Sequence, residues 1–513
     1  MPKTLPAAVY VQTVTKGMYG MKILLVQCPV YDVEMPPLGL ASLAAALKKA
    51  GFFVQVMDIN VDFFHSRPDY KKFWNPESYD LCLPGNFFLK GDDLEEITEI
   101  YLKKILETQA DIIGFSVQTT SSAFSINLAA RIKQAEPAKI IIFGGPECLR
   151  EEQPGFFLLE PGRGDYLVLG EAEEALVKLA QQISRKESAQ DCNGLVIRRG
   201  QELITTGNAN IIEDLDYIPN PDFSLFSLDK YLHRNALPVL MSRGCINRCA
   251  FCVDTWYQAR YRRRSCGRVV EEISDLHKNF LLRRLKFNDL LINGDHKFLE
   301  DFCDTLRRAG LKDLYWSANM TIHSALNEDI LKKMYACGCR LLAFGVESAS
   351  NGVLKAMGKG YTKDEILRNL KLTSRAGIYT STNWIVGFPG ETREDLMETI
   401  EFIAEHKDVI YAASAANTLE IVRGSILSRN FQQRGITLTR EGNWSCVDNT
   451  QQERAHRQGA FNEFLAVLGI LNRTHNTDRM YEKSKVGHFK TKQAVKNFKD
   501  RLYGFREAEK LRC

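Results

Sequence analysis

The chain has almost no charge bias: 67 Lys and Arg face 63 Asp and Glu in 513 residues, a formal net charge of +4. So even a balance gives no general argument for nucleic acid or a membrane surface as partner. No apolar stretch approaches the roughly 20 residues of a membrane span. The first twenty residues build no signal-type apolar segment, and Met18 or Met21, just ahead of the first strand-like run, is a candidate start. The 13 cysteines show no regular pairing, which excludes a secreted disulfide scaffold and fits a reducing, cytoplasmic setting. There is no internal repeat beyond strand–helix units and no low-complexity tract. His65 is the only histidine before residue 200. The length predicts two or three domains, and the 45% hydrophobic share is enough to give each a core.

Three of the cysteines stand apart. Cys245, Cys249 and Cys252 follow a short apolar run, Leu237 to Met241, with C-x3-C-x2-C spacing in Ser242-Arg-Gly-Cys-Ile-Asn-Arg-Cys-Ala-Phe-Cys252. Three thiolates on one tight loop suit three corners of a [4Fe–4S] cube, leaving one iron open to a small chelating molecule. A zinc knuckle closed by Cys266 is the alternative, because structural zinc takes a fourth Cys or His.

Around this loop, apolar strands alternate with amphipathic helices. Strands are predicted near 237–242, 284–289, 314–319, 340–347, 380–387 and 409–421, with helices near 267–280, 296–309, 327–337, 362–376 and 392–405. Such alternation predicts a parallel α/β barrel whose chemistry gathers at the C-terminal strand ends.

The cysteine spacing, the aromatic Phe251 before the third cysteine and the six strand–helix units together resemble the radical S-adenosylmethionine (SAM) superfamily. The resemblance implies a partial (β/α)6 barrel, a [4Fe–4S] cluster on Cys245, Cys249 and Cys252, and SAM chelated at the open iron. It also implies SAM contacts at successive strand ends. The usual Gly-Gly-Glu is absent after the second strand, so Asp289 of Phe287-Asn-Asp289 is its substitute for the methionyl amine. Glu347 takes the position that meets the ribose or amine, and Lys359 the cation for the SAM carboxylate. Asn383 and the Gly387-Phe-Pro-Gly-Glu391 turn lie where relatives lay adenine and ribose.

The N-terminal half alternates too. Lys22–Val26, Phe53–Asp58, Ile112–Ser116, Lys139–Pro146 and Tyr166–Glu173 read as strands, and Pro36–Gly51 as a Pro-started, Gly-ended helix. This predicts an open, doubly wound, Rossmann-like parallel sheet with ligands at its C-terminal edge, on turns carrying Ser116, Gly144, Gly145, Gly170 and Glu171. With the Pro-x-Gly-Leu helix holding Leu38 and Gly39, the pattern resembles the cobalamin (B12)-binding domain found upstream of many radical SAM modules. Two departures are plain. No Asp-x-His-x-x-Gly is present, so cobalamin is expected without a histidine on cobalt. Ala172 replaces the second glycine of the usual G-E-G-E turn, where alanine tolerates positive φ poorly. The bland alternative is a sheet without ligand that only covers the barrel.

The expected organisation is an extension (1–20), a cobalamin-binding domain (21–185), a linker-like segment (186–236), the barrel (237–430) and a small, mostly helical C-terminal region (431–513), helical near 451–473 and 490–511. The basic stretch from Arg479 to Arg512 reads as solvated surface rather than a nucleic-acid site. The resemblance implies an enzyme that cleaves SAM to a 5′-deoxyadenosyl radical, with cobalamin as second cofactor. Its preferred reaction is methyl transfer to an unactivated carbon or phosphorus of a small molecule, fed by a donor such as flavodoxin or ferredoxin. Ring formation or rearrangement without methyl transfer is the second reading, and a non-catalytic cluster-bearing sensor or scaffold the third. No general acid or base stands out; His323 and Tyr361 read as structural.

Overall fold

Strands and helices form where the patterns place them, in two units of a computed structural model that describes residues 20–75, 78, 81–149, 158, 162–200, 202–254, 260–414, 416–438, 443–447, 449–471 and 488–510. One unit comprises Met1–Asn210 with Ile218–Tyr231, the other Ile211–Tyr217 with Leu232–Cys513.

The first unit is a seven-stranded sheet. Its strands are β1 (Lys22–Gln27), β2 (Phe53–Asp58), β3 (Ile112–Ser116), β4 (Ile140–Gly144), β5 (Tyr166–Val168), β6 (Leu195–Arg199) and β7 (Glu202–Thr206). The order is β2-β1-β3-β4-β5-β6-β7, parallel as far as β5 and antiparallel from there. Helices α1 (Leu38–Lys49), α2 (Ile59–Ser66), α3 (Gly91–Glu107), α4 (Ser122–Ala135) and α5 (Ala172–Arg185) connect and cover it. Ile23, Leu24, Leu25 and Val26 are all buried, the mark of a central strand covered on both faces. The 2-1-3-4-5 order puts the topological switch point between β1 and β3, where open sheets of this kind bind ligands.

The linker-like segment 186–236 contributes to this sheet. Leu195, Val196 and Ile197 bury themselves against β5, and Gly200 at φ +63° lets the chain turn back as β7. Of the expected extension, residues 1–19 lie outside the described residues.

The second unit carries parallel strands β8 (Ala236–Val239), β11 (Arg284–Phe287), β12 (Tyr315–Met320), β13 (Cys339–Glu347), β14 (Tyr379–Val386) and β15 (Ala412–Ala413) in unbroken sequence order. Short β9 (Ser242–Arg243) and β10 (Arg262–Arg263) pair antiparallel. The expected strand 409–421 is split: after β15, a second piece, β16 (Asn417–Thr418), runs beside the end of β14. Among the described residues no ladder joins β8 to β15, so the barrel stays open. Helices α6 (Cys266–Phe280), α7 (His296–Arg308), α8 (Glu328–Ala336), α9 (Asn351–Met357), α10 (Lys363–Arg375) and α11 (Arg393–His406) form its outer layer. Side-chain capping is frequent: Ser265, Asp295, Asn327, Ser350, Thr362 and Thr392 each accept from an amide of the helix they start.

Beyond the barrel come α12 (Ile426–Arg429), the hairpin β17 (Thr437–Leu438) and β18 (Trp444–Ser445), α13 (Gln451–Val467) and α14 (His488–Lys510). Helix α13 packs Phe461 against Trp384 of β14, with ring centroids 6.4 Å apart, and Phe464 against Phe498 of α14 at 5.9 Å.

Candidate active site

The cysteine loop is tied down at both ends. At its stem, Asp289 is fully buried and accepts from Met241 N (3.0 Å), Ser242 N (2.6 Å) and Ser242 Oγ (2.5 Å). Burial pushes its carboxyl up to about 6, although the Ser242 and Met241 donors oppose the shift. The residue expected to meet the SAM amine is thus engaged in holding the loop. Gly244, just before Cys245, has φ +85°, and a Cβ there would strike the Arg260 carbonyl; only glycine turns the chain at this point. At the far end, Ala250 N donates to Met357 O (2.8 Å) and Leu427 N to Ala250 O (2.7 Å), so α9 and α12 clamp the loop. Asn247 Nδ2 reaches Thr321 Oγ1 (3.0 Å) beyond β12.

Cys249 is buried, and Cys245 and Cys252 are half-buried. Burial raises the Cys245 thiol. None of the three is in a disulfide, and together they offer three thiols on one loop, the donor set an iron–sulfur cube takes. Cys266, the candidate fourth zinc ligand, starts α6 and points its Sγ at Phe298 O (3.7 Å). Among the described residues no three His, Cys, Asp or Glu side chains converge to hold a single metal ion.

A buried ion pair adjoins the loop. Lys359 Nζ lies 3.3 Å from Glu347 Oε1 and 3.3 Å from Gly345 O. It sits 5.4 Å from the Phe251 ring centroid and 5.8 Å from that of Tyr361, whose hydroxyl donates to Gly345 O (2.5 Å). Burial raises the Glu347 carboxyl, against the pull of Lys359. Burial alone would lower the Lys359 ammonium, but Glu347, Tyr361 and Cys249 outweigh it and the net shift is upward. Glu347 holds φ +69°, a left-handed conformation that costs a non-glycine residue on the order of 1–3 kcal/mol and clusters at functional sites. Phe251, Glu347, Lys359 and the cysteines, spread over more than a hundred residues, thus come together.

Asn383 lies opposite Gly345 in the β13–β14 ladder, exposed, with its Oδ1 accepting from Ser414 Oγ (2.9 Å). Gly387 (φ +81°) is filled differently from expectation: a Cβ there would lie 2.6 Å from Arg454 Cγ, so its own chain occupies that space. Its amide donates to Glu391 Oε2 (2.7 Å). On the barrel's inner side, Lys286 and Ser317 are neighbours in register. Both are half-buried and have no hydrogen-bond or ion-pair partner among the described residues, while Leu285, Phe287 and Trp316 beside them pack outward. His323 accepts from Ala325 N at Nδ1 (3.1 Å) and packs against His296, with centroids 4.6 Å apart.

Sequence reasoning missed the network behind the Gly387 turn. Arg457 donates from Nη1 to Glu391 O (3.1 Å) and from Nε to Glu453 Oε1 (3.1 Å), and Arg393 Nη2 also reaches Glu453 (2.9 Å). Arg454 lies flat on Trp444, 3.6 Å from the ring centroid. Burial pushes the Glu391 carboxyl up to about 7. The partners lie some 60 residues away on α13, and no local pattern marks them.

In the first unit, Ser116, Gly144 and Gly145 sit at the C-terminal ends of β3 and β4, Gly170 and Glu171 just after β5, and Leu38 and Gly39 at the start of α1. The glycines at 145 (φ +103°) and 170 (φ +83°) are required by backbone: a Cβ would meet Val117 N at 2.8 Å and Asn210 N at 2.7 Å. Glu171 N donates to Asn210 O (2.9 Å). A Cβ on Gly39 would meet nothing within 4 Å. At the switch point, Gln27 is fully buried with Oε1 unpartnered, directly across from Ser116. An orphaned acceptor beside an open helix start fits a polar group bound at this edge.

Comparison with known proteins agrees with both units. Residues 239–403 match the Radical SAM superfamily, and residues 92–180 match the B12 binding domain. An uncharacterised methyltransferase of Pyrococcus horikoshii is 29% identical over 323 residues, 62% of this chain and 69% of the relative. The anaerobic magnesium-protoporphyrin IX monomethyl ester cyclase of Cereibacter sphaeroides is 27% identical over 380 residues, 71% of this chain but 55% of the relative. The fold is similar to that of TsrM, a radical S-adenosylmethionine methyltransferase from Kitasatospora setae (TM-score 0.68, 17% identity, 96% of this chain and 100% of that one). The chain is a radical SAM enzyme with a B12-binding domain, and its cofactors are a [4Fe–4S] cluster, S-adenosylmethionine and cobalamin.

Proposed function

We propose that the protein is a cobalamin-dependent methyltransferase acting on an unactivated carbon, or a phosphorus centre, of a small molecule. The observation that carries the reading is the pairing in one chain of a B12-binding domain with the Lys359–Glu347–Phe251 cluster-loop site. The methyltransferase from Pyrococcus horikoshii supports it. When bound, the cofactors supply one-electron cleavage of SAM to a 5′-deoxyadenosyl radical and a cobalt-borne methyl group.

The chain's own residues bind and orient. Cys245, Cys249 and Cys252 hold the cluster, and Asp289 fixes the stem they stand on. Lys359 takes the SAM carboxylate, a charge-assisted contact made beside Glu347. Glu347 and Asn383 meet the amine or ribose. The polar inner side of the barrel, with Lys286 and Ser317, receives the substrate. At the β1–β3 edge of the other unit, Leu38, Gly39, Ser116, Gly144, Gly145, Gly170 and Glu171 surround cobalamin. Electrons come from a carrier such as flavodoxin or ferredoxin, and free thiols suit a cytoplasmic setting.

A second reading, ring formation without methyl transfer, is favoured by the Cereibacter sphaeroides cyclase, which matches 71% of the chain. Anaerobic reconstitution with iron, sulfide and hydroxocobalamin, followed by SAM and reductant, separates the two. Methyl transfer gives S-adenosylhomocysteine and 5′-deoxyadenosine together. Deoxyadenosine alone selects the cyclase reading, and neither product sinks both.

A further inference from the structure

One ammonium in the barrel wall has no ion-pair partner among the described residues. The parallel strands carry few charges, and the others are spent. Asp289, just past β11, holds the loop stem, and Glu347 faces Lys359. Arg340 of β13 donates to Tyr335 O and Cys339 O (both 2.8 Å) and lies over the Tyr315 and Tyr335 rings. Arg284 of β11 is engaged as well. Asp254, beyond the cluster loop, sits against Cys252 Sγ (3.8 Å). Lys286 is half-buried and has neither a hydrogen-bond nor an ion-pair partner among the described residues. A lysine taken even partly out of water is ordinarily paired, because its charge otherwise loses hydration and gains nothing in return.

The surroundings of Lys286 limit what can complete it. It alternates with Leu285 and Phe287, which pack outward, so it faces the inner side of the barrel. In register it stands between Pro238 of β8 and Ser317 of β12. Pro238 offers no donor, and Ser317 offers a hydroxyl without a described partner, on a strand about 4.8 Å away. Two residues further along, Asn288 and Asn319 are exposed, and Asn319 Nδ2 is spent on Asp289 O (2.9 Å). The wall here thus presents one positive charge and one hydroxyl. That set matches a single negative charge shared by two oxygens. A phosphoryl group carries a charge of about −2, which one ammonium leaves half unanswered. We propose that Lys286 and Ser317 anchor a carboxylate of the substrate, so that the compound modified in this barrel is an organic acid. The inference rests on the proposed methyl-transfer reading for the presence of a substrate here, and it names the class of that substrate. A neutral amide or ester analogue leaves the ammonium unpaired and is discriminated against for that reason.

The test is residue-resolved labelling of the full-length reconstituted holoenzyme with SAM present. Acetic anhydride acetylates free amines, and peptide mass spectrometry reads each lysine separately. Malonate is the probe, malonamide its neutral counterpart, and the exposed Lys492 and Lys496 of α14 are the internal reference. At constant ionic strength, malonate should slow acetylation of Lys286 by about threefold or more as it fills the site, and leave Lys492 and Lys496 unchanged. Malonamide should give no protection. Ser317→Ala should raise the malonate concentration for half-protection by about tenfold, the loss of one hydrogen bond to a charged group. Equal labelling of Lys286 with and without malonate overturns the proposal, as does slowing that the reference lysines share or malonamide reproduces. Unchanged half-protection in Ser317→Ala overturns the two-residue site. Protection by inorganic phosphate but not by malonate makes the anion a phosphoryl group and overturns the carboxylate. Complete shielding of Lys286 by SAM before any malonate is added assigns the residue to the cofactor and overturns the proposal too. The same preparation given dithionite reports on the radical reading separately: absence of 5′-deoxyadenosine defeats that reading, while protection by malonate would still establish the carboxylate site.

Discussion

Lys359 stands between two anions. In the structure its ammonium neutralises Glu347, which is as buried as itself, and in the proposed reaction it also receives the SAM carboxylate. Removing one member of a buried pair is costly because the other charge stays in a low-dielectric site, typically 3–5 kcal/mol. Lys359→Met should therefore lower the stability of the apoprotein by about 3 kcal/mol in urea unfolding. Adding Glu347→Gln should restore most of that loss by removing the stranded carboxylate. If Lys359 also binds SAM, the double variant keeps its cluster absorbance but shows a KM for SAM raised by about tenfold or more, the cost of one charge-assisted contact. A double variant with wild-type stability and wild-type KM would leave the pair a purely structural one. Glu347 takes its left-handed conformation where the β13–β14 ladder shifts register, the kind of bulge that re-aims a side chain next to an active site.

At the scale of elements, the Gly387 turn and α13 are one assembly. Glu391 caps the turn through Gly387 N and is held by Arg457, with Arg454 filling the space over the glycine. Burial raises the Glu391 carboxyl from 4.5 to about 7. The folded state thus binds this proton more tightly than the unfolded chain. The resulting stabilisation is complete below about pH 4.5 and is lost as pH rises through about 7. Glu391→Gln should remove that dependence: between pH 5 and 8 its urea midpoint should fall less than the wild type's, a difference on the order of 1–3 kcal/mol. Parallel slopes in the two proteins would show that Glu391 is ionised throughout. Little of this assembly was legible beforehand. The main barrel strands and five of the six outer helices are visible as periodicity, because apolar spacing is a local signal; the seven-residue α9 is too short to show it, and the last expected strand is broken in two. Arg454, Glu453 and Arg457 sit on a helix whose buried face is charged, so its polarity reads as surface. The β6–β7 hairpin was overlooked for a related reason: its five-residue strands carry Arg198, Arg199, Glu202 and Thr205, and polar edge strands resemble a linker. Asp289 was expected to meet the SAM amine, but sequence gives no direction to a side chain, and its carboxylate turns to the loop stem.

For the whole molecule, the decisive question is how the B12-binding unit holds cobalt. Domains with an Asp-x-His-x-x-Gly motif place a histidine on the metal, and no such motif occurs here. His65, the one histidine of the first 200 residues, ends α2 with its Nε2 2.6 Å from Lys230 O, engaged by its own unit. The switch-point edge between β1 and β3 offers Gln27 and Ser116 instead, neither of them a strong cobalt ligand. Cobalamin reduced to the cob(II) state in this protein should therefore show an electron paramagnetic resonance spectrum without superhyperfine splitting from an axial nitrogen. The same spectrum should be obtained from His65→Ala, at unchanged cobalamin occupancy. Nitrogen splitting in the wild type that disappears in His65→Ala would mean that α2 rearranges to deliver an imidazole to cobalt. Splitting that survives the substitution would mean that the cofactor keeps its own lower base on the metal. Both results contradict the cobalt site read from this sheet, and neither depends on knowing the substrate.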